Sequence, residues 1–119
     1  MASFSKIELS GSTDGRGIKV AETSTPGTTI HQAQSGTGAD NYDEVWLYAT
    51  NSDTSAIDVS IEFGGTTSPD DIIEVTVPAQ DGLLLIVPGL IIQNSLVIKA
   101  FAGTANKIVI FGWANRISA

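Results

Sequence analysis

Cysteine is absent from the 119 residues, so neither disulfides nor thiolate metal sites are available, and the chain is indifferent to redox compartment. Charge is scarce too. Only 16% of residues are charged, and six basic residues against thirteen acidic ones leave a formal net charge of −7. So few cations cannot neutralise a phosphate backbone, and no nucleic-acid partner is expected. An acidic surface instead favours solubility and basic partners. Long apolar runs are missing: Leu83–Val87 continues only through Pro88 and Gly89 to Ile92, too short and broken to span a bilayer. The start, Met1-Ala2-Ser3-Phe4-Ser5, lacks the basic segment and apolar run of a secretory signal, so none is expected. Helical signals are lacking as well, since no segment of ten or more residues combines helical periodicity with caps.

What is present is β-sheet pattern. Hydrophobic residues make up 42% of the chain, enough for one domain with its own core and too many for a disordered one. The organising stretch is Tyr42–Asn51, where β-branched and aromatic residues alternate with period two. Val45, Leu47 and Ala49 point to one face; Glu44, Trp46, Tyr48 and Thr50 point to the other. A core is expected on the first face, and a neighbouring subunit, loop or target on the second.

Around this strand the chain offers Ser5–Leu9, Ile18–Ala21, Thr28–Ala33, Ala56–Phe63, Ile72–Val77, Leu83–Val87, Leu96–Ala102 and Lys107–Trp113 as further strands. Glycine-rich and polar turns separate them, including Gly11–Gly17 and the strong turn signal Pro88-Gly89. In Ala56–Phe63 the apolar positions face inward while Asp58, Ser60 and Glu62 face solvent. Leu83–Val87 does not alternate, so both its faces are expected to be covered. Eight or nine short strands at this spacing predict a single all-β domain, a β-sandwich of jelly-roll-like form.

Chemistry is sparse. His31 is the only histidine, and no serine sits in a nucleophile-elbow context beside it, so no catalytic residue is assigned and no enzyme is expected. Gly15-Arg16-Gly17 precedes a strand rather than a helix and is a turn, not a phosphate cradle. The carboxylates fall into three groups: Asp40, Asp43 and Glu44; Asp58 and Glu62; Asp70, Asp71 and Glu74. Asp40–Glu44 lacks the spacing and glycine of a calcium loop, and solvated acids are the expectation, with no metal and no cofactor.

The aromatic residues have three readings: core, sugar platform or subunit interface. Leu83–Val87 and Leu90-Ile91-Ile92 add more apolar surface than one small core needs, which favours an interface. The candidate interface residues are Trp46, Tyr48, Leu84, Ile86, Leu90, Ile91, Phe111 and Trp113. A carbohydrate-binding or adhesin module, stacking sugars on Trp46 or Trp113, is the alternative.

Glu44–Asn51, Ile61–Gly65, Val87–Leu90 and Phe111–Ile117, in that order, resemble the pattern of small structural proteins of tailed bacteriophages, among them capsid decoration or cement proteins. The resemblance spans Ile18 to Ile117 and rests on sheet and turn motifs. It implies a β-sandwich or jelly-roll protein on the capsid surface of the virion, clamping adjacent capsomers, with the major capsid protein as partner. It also implies a homo-oligomer, a trimer first, assembled in a bacterial cytoplasm, with no active-site residues to carry over. On this reading residues 1–5 form a short flexible arm, and Ser3, Phe4, Ser5, Asp14 and Arg16 are the candidate shell contacts.

Overall fold

The structure, a computed structural model, describes residues 2–119. Among these residues there are nine strands and no helix: β1 (Ser3–Glu8), β2 (Ile18–Lys19), β3 (Thr28–Gln32), β4 (Tyr42–Asn51), β5 (Ile57–Phe63), β6 (Ile72–Val77), β7 (Leu84–Ile92), β8 (Val97–Ala102) and β9 (Ile108–Ser118). β2 is a two-residue strand that extends the outer edge of β9 beyond β1. Setting it aside leaves eight strands that pair first with last, second with seventh, third with sixth and fourth with fifth. All these pairs are antiparallel. Wound up, they give two facing sheets of order β1-β9-β4-β7 and β3-β8-β5-β6, the jelly-roll order.

β4 alternates between buried and half-buried residues along its whole length, as its sequence pattern requires. Its inward side chains Val45, Leu47 and Ala49 meet Ile108 and Ile110 of β9 and, across the sandwich, Ile30, Val59, Ile61, Ile98 and Ala100, all fully buried. Each large side chain buried in this way contributes about 1.5–3 kcal/mol. Where β9 crosses β4 the backbones approach so closely that a Cβ on Gly112 would lie 1.9 Å from the Trp46 carbonyl oxygen. Only glycine fits there.

Five expectations change. Ser3–Ser5 is not a free arm: it pairs with Ser118–Arg116, and β9 runs on to Ser118 rather than stopping at Trp113. The N-terminal residue of the expected arm, Met1, lies outside the described residues. Pro88-Gly89 does not turn the chain; β7 continues through it with two register shifts against β4. β7 is an edge strand, so the missing proline N–H interrupts little, and Gly89 takes the positive φ of 74° that the bulge needs. The same edge position leaves Leu83 58% and Leu85 43% exposed, so that run is covered on one side only. Finally, Glu62 is buried, not solvent-facing: Thr25 Oγ1 and the Gly27 N–H donate to its two oxygens at 2.5 and 2.7 Å. The turn at Thr23–Gly27 folds over it.

Candidate functional site: an aromatic sheet face beside an uncharged edge

The outward positions of β4 and β9 stand opposite one another in register: Glu44 with Asn115, Trp46 with Trp113, Tyr48 with Phe111. Cross-strand pairing of this kind brings side chains into contact. Trp113 is sandwiched, its ring centroid 5.9 Å from Trp46 at 14° and 5.9 Å from Tyr48 at 27°. The Lys6 ammonium of β1 lies 4.8 Å from the Trp113 ring centroid, within cation–π range. Glu44 accepts hydrogen bonds from Asn115 Nδ2 and from Trp46 Nε1, both at 2.9 Å. Those two bonds, Asn115 first, hold its carboxyl below the usual range. The Trp113 Nε1 is buried and has no partner among the described residues.

Backbone closes over both flanks of this face. Gly89 packs on the Trp46 indole, where a Cβ would come within 2.8 Å of the ring. Gly17, in the loop between β1 and β2, lies on Val109 and Phe111. The four aromatic candidates are therefore brought together and left half-buried, with Trp46 and Tyr48 stacked on Trp113.

The aliphatic candidates divide. Leu90 and Ile91 are 40% and 60% exposed on β7. Ile86 belongs to the core at 8% exposure, and Leu84 packs against it, so neither is a surface residue. Leu84 stands opposite inward-facing Ala49 and Leu85 opposite outward-facing Tyr48, and Leu83 and Leu85 are the exposed neighbours in their place. From Gly82 to Gln93 the chain carries no charged residue.

The arm and loop candidates lie on the opposite edge of the same sheet. Ser3, Phe4 and Ser5 are exposed on β1, Phe4 at 77%. Phe4 borders a hollow lined by Lys6, Tyr42, Glu44, Asn115 and Ile117. Asp14 and Arg16 are exposed in a tight turn with positive φ at Asp14, and Arg16 shares a second hollow with Phe111.

One constellation was not legible as a unit. Buried Asp43 of β4 accepts from Arg116 Nε at 2.8 Å and Nη2 at 2.9 Å and contacts His31 Nε2 at 2.7 Å. The Ser10 N–H donates to His31 Nδ1 at 3.0 Å. With Nδ1 accepting that bond, Nε2 is the ring nitrogen that faces Asp43 as donor. Burial opposes the charge on Asp43, but the hydrogen bonds from Arg116 and His31 and the adjacent guanidinium outweigh it and hold the carboxyl low. The node ties β3 to β4 and β9 across one end of the sandwich. Both ring nitrogens are occupied and the imidazole is closed to solvent, so the pair holds structure rather than a substrate. The only sequence signal was a carboxylate at an inward position of β4.

Among the described residues no three His, Asp or Glu side chains cluster as metal ligands. Asp43 and Glu44, two of the acids weighed for calcium, are engaged as described above. Asp71, from another group, receives the Thr67 N–H at 3.1 Å. The chain matches no family model, and no curated protein and no solved structure matches it either.

Proposed function

We propose that this chain is a structural virion protein, a capsid decoration or cement protein that works by contact rather than by chemistry. The observation that carries the reading is the surface of the β1-β9-β4-β7 sheet, an aromatic face bordered by an apolar, uncharged edge strand. Monomers rarely present such a contiguous surface without a partner. The jelly-roll order supports it by analogy, since capsid domains often use this architecture, as do lectins.

Magnitudes favour more than one contact. Leu83, Leu85, Leu90 and Ile91 together expose the equivalent of about two whole side chains, which burial would reward with roughly 3–6 kcal/mol. Association costs about 4–15 kcal/mol in lost freedom, so that edge alone does not hold a pair. A ring, in which every copy uses two surfaces, and several weak contacts to a symmetric shell together suffice. Because Ser3–Ser5 are held in β1, the shell contact falls to the exposed turn with Asp14 and Arg16 rather than to a reaching arm. The sugar-platform alternative loses its main support, because Trp46 and Trp113 stack on each other.

The test is sedimentation with undecorated, expanded heads of the encoding phage, with the major capsid protein as the expected partner. Saturable cosedimentation that raises the heads' resistance to heat is the expected result. Purified protein that stays in the supernatant at every ratio overturns the reading.

A further inference from the structure

The two edges of the aromatic sheet differ in a complementary way. At one, β7 and the residue just before it offer Leu83, Leu85, Leu90 and Ile91 with no charge between Gly82 and Gln93. Acids flank it: Asp81 just before it, and Asp40 in the loop that Gln93 ties to its far end through Gly38 and Asn41. At the other, β1 offers Phe4, and Lys6, Arg16 and Lys19 are exposed along β1, the following loop and β2. Residues 2–20 hold three basic and two acidic residues, whereas residues 21–119 hold three basic and eleven acidic. In a chain of net charge −7, a border with more basic than acidic residues lies opposite the apolar, acid-flanked one.

We infer that β7 of one copy docks against the β1 edge of the next, Phe4 seating among Leu85, Leu90 and Ile91, so that copies join head to tail and close as a ring, with the trimer of the shell-protein reading as its expected size. The inference rests on the oligomeric shell-protein reading and names the residues and polarity of its subunit contact. The occupant is a second copy because the two borders match each other in both hydrophobicity and charge, and a contact between two different patches is the kind that generates rings. Side chains make the contact. Pro88 and the two register shifts of β7 spoil its backbone for strand addition, as protected edges do.

Light scattering after size exclusion on the full chain tests this, with circular dichroism confirming that each variant is folded. Wild type is expected at trimer mass. Phe4→Asp and Ile91→Asp each leave one patch intact, and each alone is expected to run as a monomer. Mixed, they are expected to associate pairwise only at high protein concentration, because the β7 edge of the first variant still fits the β1 edge of the second but makes a single contact of the ring. Should either aspartate variant fail to fold, Phe4→Ser and Leu85→Ser repeat the design with milder changes. A monomeric wild type overturns the inference. So does an unaffected Phe4→Asp beside a dissociated Ile91→Asp, the pattern of a β7-to-β7 dimer, and so does a mixture that shows no association even at the highest attainable concentration. A trimer that obeys these rules yet ignores phage heads would instead remove the virion reading and leave the ring standing.

Discussion

At the scale of single residues, the most consequential group is Asp43, a fully buried carboxylate whose partners come from two other strands. Its folded-state pKa is lowered against a usual value of about 3.9. The sign follows: the stabilisation is complete above that value and is lost as pH falls below it towards the folded pKa. Urea unfolding from neutral pH down to strongly acidic pH is expected to show stability falling below about pH 4. Asp43→Asn removes its own part of that dependence and, by leaving Arg116 without its carboxylate, costs on the order of 3 kcal/mol. A variant whose acid limb matches wild type would separate the node from acid sensitivity. Gly112 is the second such residue. Gly112→Ala must move the Trp46 backbone and is expected to lower stability by about 1–3 kcal/mol, visible as a lower melting midpoint and altered tryptophan emission.

At the scale of elements, legibility followed the regularity of the ladder. β4 was readable because nothing interrupts its alternation, so a period-two pattern in sequence is a period-two pattern in space. β7 was not, because its register slips twice, and each slip exchanges the inward and outward sets. Ile86 and Val87, neighbours in sequence, are therefore both buried, while Leu84 stands opposite inward Ala49 and Leu85 opposite outward Tyr48. The same irregularity disguised Pro88-Gly89 as a turn, since both residue types end strands in a sheet interior and survive in an edge. Glu62 and Asp43 were misplaced for another reason: each is buried by partners far away in sequence, Thr25 and Gly27 for one, Arg116 and His31 for the other. Strand pattern fixes the face of a residue and says nothing of the loop folded over it. The edge bulge makes its own prediction. Gly89→Ala puts a side chain at φ 74° and against the Trp46 ring, for a cost of about 1–2 kcal/mol from the left-handed backbone alone. Denaturant midpoints measure that cost, and quenched or shifted Trp46 fluorescence reports the displaced indole.

At the scale of the molecule, the architecture is a folded-over ribbon in which β1 and β9, although they stand far apart in the sequence, are neighbours in the sheet. An all-β reading with eight or nine strands was available from turn spacing, but this pairing was not, because nothing local in Ser3–Glu8 specifies a partner more than a hundred residues away. Polar, serine-rich Ser3–Ser5 looked like an arm; opposite Ser118–Arg116 it is a sheet edge. The distinction is testable with one crosslink. Ser3 and Ser118 are register partners, and directly opposed antiparallel residues have Cα atoms about 4.5–5.5 Å apart, within disulfide geometry. The chain has no cysteine, so Ser3→Cys with Ser118→Cys forms a single defined pair without competing thiols. A strand held as β1 is held oxidises rapidly and intramolecularly under mild conditions. Closing a loop of nearly the whole chain then raises unfolding stability by up to about 4–5 kcal/mol, less any strain. A free arm would oxidise slowly, form mixed intermolecular dimers and gain little. Because the ring contact inferred above needs Phe4 presented on a fixed edge, the oxidised protein should associate at least as tightly as wild type. Loss of association on oxidation would mean that this segment must leave β9 to find its partner.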